Sequence, residues 1–364
     1  MWMSELPPFV PFFAAALLAL VARGWLRAAL MLATPVLGGL HLWFGVPAGT
    51  MLSVPLLDFE LVLMRADRLS LLFGYLFHIA AFIAMVFALH VRERTQTVAG
   101  LLYAGSALGA VFAGDLITLF IFWELLAITS VFLIWARRTE RALRAGQRYL
   151  IIQVTSGVLL LAGALVHYHE SGTLAFDYIG LESISGTLIF IAFGIKCAFP
   201  FLHNWLTDAY PEATPTGAVF LSAFTTKVAV YSLARGFPGT ELLVYIGAVM
   251  TCFPIFYAVI ENDLRRVLAY SMINQIGFMV VGIGIGTGIS STTQGNQGNI
   301  ASSQQLDMAV PDPEFCRQWG ASAFVMDIEL YTTMNPSSSF VTQPALKPGC
   351  VIRRDNWAVL QKEG

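Results

Sequence analysis

Ten apolar stretches follow one another through the first 289 residues of this chain, at roughly 6–23, 26–46, 69–90, 96–114, 115–136, 149–168, 187–205, 213–235, 241–260 and 267–289. Each approaches the 20 or so residues needed to cross the hydrocarbon core of a bilayer. In lipid, every backbone N–H and C=O must be satisfied inside the protein, and a run of apolar helices does that segment by segment. The predicted fold class is therefore all-α, a polytopic transmembrane helical bundle of about ten helices followed by a polar C-terminal tail. Composition agrees: 57% of the residues are hydrophobic and only 12% are charged, against about a quarter charged in soluble domains. The balance of 21 Lys+Arg against 23 Asp+Glu leaves no basic surface for phosphates, which excludes a nucleic-acid partner. The four cysteines, Cys197, Cys252, Cys316 and Cys350, form no CxxC and no cluster with histidine. No cofactor and no metal site is expected, and no redox chemistry.

The first stretch starts Met1-Trp2-Met3-Ser4-Glu5, without a basic leader, and reads as a span and not as a cleaved signal. Eleven Lys and Arg fall in the loops after odd-numbered spans and three in the loops after even-numbered spans. Basic loops stay in the cytoplasm, so the N-terminus of this integral membrane protein is expected outside. Beyond the tenth span the composition changes: from Ser290 to Gln305, twelve of sixteen residues are Ser, Thr, Asn or Gln. Residues 290–364 are expected to be a flexible linker and a weakly hydrophobic appendage. Cys316 and Cys350 could pair there only if the tail reaches an oxidising compartment.

The position of charge within the spans carries the functional signal. Residues 1–289 hold sixteen Lys+Arg, of which fourteen are Arg in loops; the two lysines, Lys196 and Lys227, both lie inside predicted spans. Each transmembrane lysine costs about 2.5–3.5 kcal/mol on insertion scales. Unlike arginine, a buried lysine can lose its proton at accessible pH. Glu124 sits mid-span, ~13 Å of helix from either end, too far to snorkel to water. It reads as a functional carboxylate or as half of a buried ion pair that fixes packing. Pro200, four residues after Lys196, has no N–H for the Lys196 carbonyl, so the seventh span should open there. His203, two turns beyond Lys196, reads equally as an interface histidine or a proton-relay residue. Ser222, Thr225, Thr226 and Tyr231 surround Lys227 in sequence and serve either to hold water or to join helices. His41 and His78 are read as core or interface histidines, Asp115 as an N-terminal helix charge, and Gly282, Gly284, Gly286 and Gly288 as a close-packing run.

Four segments carry a family resemblance: DLITLFIFWELLAITSVFLI around Glu124, the basic loop leading to Gln147-Arg148-Tyr149-Leu150-Ile151, Lys196 with FPFLHNWLTDAYPEATPTGAVFLSAFTTK to Lys227, and ENDLRRVLAYSMINQIGFM from Glu261 to Met279. Over roughly residues 100–289, in order and spacing, they resemble the proton-translocating antiporter-like family. That family comprises the D and A subunits of Mrp-type Na⁺/H⁺ antiporters and the large membrane-arm subunits of respiratory complex I; the wording of the tenth span is nearest to antiporter D subunits. The resemblance implies that Glu124 is the essential glutamate of the fifth span, Lys196 the lysine of the broken helix, Lys227 the central lysine of the eighth span, and His203 the histidine of an HxWLPDA motif. Thr207 stands where that motif has proline.

It also implies the domains: N-terminal helices in 1–95, a complete five-helix repeat in 96–236, and the start of a second, inverted repeat in 237–289. Family members carry about fourteen helices, and the match stops near Thr287. That ending fits a truncated product, a shifted reading frame, or a half-unit completed by another chain. The expected function is a proton-translocating subunit of a multisubunit antiporter, with other membrane subunits, protons, Na⁺ or another monovalent cation and the lipid bilayer as partners. The alternatives are a non-redox subunit of a complex I-type oxidoreductase or membrane hydrogenase, and a non-translocating scaffold.

Overall fold

The computed structural model describes residues 6–56, 59–286, 300–306, 320–334, 337–341 and 345–352. The chain divides into two compact units, Met1–Thr292 and Thr293–Gly364. The first unit contains α1 (Val10–Val21), α2 (Trp25–Gly45), a hairpin of β1 (Met51–Leu56) and β2 (Phe59–Arg65), α3 (Arg68–Ala88), α4 (Arg94–Phe112), α5 (Leu116–Trp135) and α6 (Glu140–Ser171). It continues through α7 (Ile184–Cys197), α8 (Asn204–Ala209), α9 (Pro215–Ala223), α10 (Thr225–Gly236), α11 (Glu241–Ile260) and α12 (Leu264–Ile285). Among the described residues every apolar stretch is mainly helical, the seventh and eighth with breaks. Among the described residues eight helices are long and apolar enough to cross a membrane, with α9 and α10 forming one interrupted span, and α1 and α7 are shorter apolar helices.

α4 is the hub. Its Gly- and Ala-rich sequence lets neighbours approach from every side, and each residue from Tyr103 to Phe112 is buried. α1, α3, α5, α9 and α10 pack around it. Outward-facing Trp43, Ile151, Val259 and Phe278 are exposed, as a lipid-facing surface requires. α6 begins nine residues before its apolar stretch, because Thr139 caps it by accepting from Ala142 N–H and Glu140 pairs with Arg144 one turn on. α11 and α12 pack closely: a methyl on Gly247 would lie 2.7 Å from Val281 N, and one on Gly277 2.7 Å from Thr251 N. Of the glycine run, Gly284 faces Val244, Gly282 faces open space, Gly286 is the left-handed cap of α12, and Gly288 lies outside the described residues.

Ionic ties fasten the loops at both ends of the bundle. At one end Asp115 caps α5 through Thr118 N–H (2.7 Å) and also accepts from Val62 N–H of the hairpin (2.7 Å). Asp67 caps α3 and pairs with Arg235 (2.7 Å), while Arg65 reaches Asp177 (2.9 Å). At the other end Arg137 pairs with Glu212, Arg138 with Glu93, and Arg148 bidentately with Asp208. His78 is buried against Phe12, and His41 meets the Leu6 carbonyl.

The second unit shows strands that the composition of the tail did not suggest. β4 (Gly320–Met334) pairs antiparallel with β3 (Ile300–Leu306), β5 (Ser337–Val341) and β6 (Ala345–Ile352). Most of the expected linker, 290–299, and Cys316 lie outside the described residues.

The close approach of α11 and α12 is directly testable. Gly277→Val should force the two helices apart and destabilise the purified chain by about 1–3 kcal/mol, as overpacking does, read as a lowered unfolding temperature in detergent. Burial works against the charged form of Asp67, but the hydrogen bond and charge of Arg235, with help from Ser70 N–H and Arg65, hold its carboxyl below the ordinary carboxylate value. A depressed carboxyl stabilises the fold above its unfolded pKa, and that stability is lost as pH falls through the folded value. Asp67→Asn should therefore flatten the acid side of the pH–stability curve.

Candidate functional site

Three helices build the site. α5 places Trp123 and Glu124 side by side. α7 brings Lys196 to its penultimate position, fully buried. Lys196 Nζ donates to the Trp123 carbonyl at 2.6 Å and stands 4.3 Å from the centre of the Trp123 ring. The Trp123 indole donates to Ser156 of α6 (3.0 Å), whose hydroxyl donates to the Ala192 carbonyl of α7 (2.7 Å). Glu124 and Lys196 are close enough for their charges to interact. They are not joined directly: Glu124 Oε1 is buried without a hydrogen-bond partner among the described residues, lying where a side chain on Gly157 would otherwise be.

The seventh span is broken as Pro200 predicts, but the break starts earlier. α7 ends at Cys197 and Ala198 turns into the left-handed region (φ 62°). Ala198 N–H then bonds the Ile195 carbonyl and Phe199 N–H the Gly194 carbonyl, which is the hydrogen-bond pattern of a Schellman cap. Gly194 is required because the Phe199 ring fills the space of its missing side chain. Trp205 of α8 adds a third tie, its indole donating to the Ile195 carbonyl (2.8 Å).

The eighth span is broken too, with no proline or glycine at the break. Phe224 separates α9 from α10. Side chains satisfy the interrupted backbone: Lys227 Nζ donates to the Ser222 carbonyl (2.9 Å), Tyr210 to the Leu221 carbonyl (2.9 Å), and Thr225 N–H to the Tyr103 hydroxyl (3.0 Å). Lys227 lines a cavity of about 470 Å³ with Tyr210, Ser222, Arg265, Ser271 and Gln275.

Of the residues singled out in the sequence, Glu124 and Lys196 are brought together, and Lys227 lies on α10, which packs against α7. Cys197, next to Lys196, is within electrostatic reach of Lys227. His203 precedes α8 and packs against Phe253 of α11, ring centres 4.8 Å apart, with Nδ1 buried and unpartnered among the described residues. Pro200 sits in the connection between α7 and α8. Sequence reading missed Trp123, Ser156, the tyrosines at the α9–α10 break and Gln153 of α6. Polar residues inside apolar spans were the available signal, but without charge they did not stand out.

Residues 113–297, half of the chain, match the family model described as NADH:quinone oxidoreductase/Mrp antiporter, TM. Residues 269–364 match a model described as a protein of unknown function (DUF3172). The D subunit of the Na⁺/H⁺ antiporter of Alkalihalophilus pseudofirmus is 30% identical over 199 residues, 49% of this chain and 40% of that protein. The M subunit of the NADH-quinone oxidoreductase of Escherichia coli K12 is 28% identical over 210 residues, 50% of this chain and 41% of that protein. The chain thus spans about two fifths of the length of these curated relatives. A chain of the Mrp complex from Dietzia sp. DQ12-45-1b superposes with a TM-score of 0.68 at 27% identity, over 77% of this chain and 34% of that one. The family model covers half of the chain and the helical architecture agrees, so the chain belongs to the NADH:quinone oxidoreductase/Mrp antiporter membrane family.

Proposed function

We propose that this chain is a proton-translocating membrane subunit of a multisubunit monovalent cation/proton antiporter of the Mrp type, with Glu124, Lys196, Lys227 and His203 as its proton-carrying groups. The observation that carries the reading is Lys196, sealed from solvent beside the Glu124 carboxylate on a neighbouring helix. Burial disfavours the ammonium and a nearby carboxylate favours it. The distance between Glu124 and Lys196 therefore sets whether Lys196 holds a proton, and a small movement of α5 against α7 loads or unloads it. The cavity at Lys227 offers the next carrier access to water. Pro200 and Ala198 keep α7 open beside Lys196. Sodium or another monovalent cation is the exchanged ion, and other membrane subunits complete the path. The N-terminus lies outside a bacterial inner membrane, with the Arg-rich loop before α6 in the cytoplasm.

Similarity to the M subunit of the E. coli oxidoreductase supports a second reading, in which a redox partner drives proton pumping through this chain. Dependence of proton flux on Na⁺ favours the antiporter; dependence on quinone reduction favours the second reading.

In vesicles containing the whole assembly, Lys196→Ala should abolish Na⁺-dependent proton flux, and Glu124→Gln should lower it by roughly a hundredfold or more, the scale of losing one positioned proton-transfer group. Flux equal to wild type in Lys196→Ala would refute the assignment.

A further inference from the structure

Gln153 lies midway along α6 with no solvent exposure, and neither its side-chain oxygen nor its nitrogen has a hydrogen-bond partner among the described residues. Glu124 Oε1 is in the same condition. Buried polar atoms are almost always satisfied, and leaving them unpaired incurs the full desolvation cost. Three such atoms in one seam of a membrane bundle call for a ligand.

The register of α5 against α6 places them in a row. Trp123 meets Ser156, Glu124 meets Gly157, Ser130 meets Tyr149 (2.7 Å between hydroxyls), and Trp135 meets Gly146. Tyr149, Gln153 and Gly157 are four residues apart, so they share one face of α6, ~6 Å between successive levels. Gln153 therefore stands between the level of the Glu124 carboxyl and the level of the Tyr149–Ser130 hydroxyl pair. By the same register α5 sets the small Ala127 opposite it, and the space left by the absent side chain of Gly157 is taken by Glu124 Oε1 itself, which brings the carboxyl against α6 one level from Gln153. An amide offers both a donor and an acceptor. That matches water, which does both, and not a bare cation, which takes oxygens alone.

We propose that Gln153 anchors an internal hydrated site between α5 and α6, holding roughly two water molecules, that joins the Glu124 carboxyl to the hydroxyls of Tyr149 and Ser130. The row of oxygens continues from there. Tyr149 is within reach of Thr225, Thr225 Oγ1 bonds the Tyr103 hydroxyl (2.6 Å), and Tyr103 and Tyr210 gather at the helix break that holds Lys227. Each oxygen in the row can accept one proton and release another, so Glu124 gains a connection toward Lys227 that bypasses Lys196. Its use in transport rests on the proposed function; the hydration itself does not.

The test uses infrared difference spectra of the full chain in lipid nanodiscs at acid pH, in H₂O and D₂O, with the Glu124 carboxyl band assigned by its loss in Glu124→Gln. In Gln153→Leu the band should move to the position of a carboxyl without hydrogen bonds, and its hydrogen–deuterium exchange should slow by roughly tenfold. Gln153→Asn, which keeps an amide, should retain fast exchange. An unmoved band with unchanged exchange in Gln153→Leu overturns the proposal. Should Gln153→Leu fail to fold, Tyr149→Phe decides: slower exchange at Glu124 supports the bridge and unchanged exchange sinks it. Flux in Lys196→Ala judges the translocation reading separately.

Discussion

The Lys196 amine, shut off from solvent, hangs on the Trp123 carbonyl with the Glu124 carboxylate nearby, and much of the surrounding architecture serves to make that position tolerable. An isolated ammonium in an apolar interior is prohibitive. Here the cost is offset by a carbonyl, by the face of the Trp123 ring and by a counter-charge. Each of those partners is held in turn. The indole is fixed by Ser156, Ser156 by the Ala192 carbonyl, and α7 is stopped one residue after Lys196 by a cap made from Gly194, Ala198 and Trp205. Left-handed alanine costs about 1–2 kcal/mol, a local strain retained where the helix has to end beside the amine.

Both lysines of the bundle sit at interruptions of a helix, and at each break side-chain donors take up the carbonyls that the interruption frees, Trp205 that of Ile195 in α7 and Lys227 that of Ser222 in α9. A continuous helix uses its carbonyls internally, and lipid supplies no other acceptor. Interrupting it releases carbonyls at membrane depth, and a side-chain donor becomes the means of satisfying them. Lys227 does this for Ser222, and Tyr210 for Leu221. The breaks therefore create polar microenvironments at membrane depth, and polar side chains, Lys227 among them, complete their hydrogen bonding.

What could be read from sequence divides along the same line. The spans were legible because apolar runs of bilayer length have few other folds, and the burial of Glu124 beside Lys196 because charge within such runs is costly and draws a partner. The α7 break was legible from Pro200, although Ala198 ends the helix two residues earlier, a cap geometry that no residue type announces. The α9–α10 break was not legible: Phe224 is an ordinary helix residue, and the hydroxyls that accommodate the break come from α4 and from the end of α8, more than ten residues away in sequence. The β1–β2 hairpin and the strands of the second unit were missed because short, mixed segments carry weak periodicity beside spans of twenty apolar residues. Gln153 was hidden by its neutrality, since its significance lies in what its neighbours fail to supply.

The division of basic residues acquires a chemical meaning in the fold. Several arginines at the bundle ends pair with carboxylates, as Arg235 does with Asp67 and Arg148 with Asp208, and such pairs depend on both charges and on a cation that does not titrate. Lys196 and Lys227 instead donate to backbone carbonyls. A neutral amine still has N–H groups to donate, so a carbonyl tether survives loss of the proton where an ion pair would not. On the proposed function, position is thereby uncoupled from protonation: the arginines that clamp the ends of the bundle stay charged, and the tethers of the two lysines survive a change in charge.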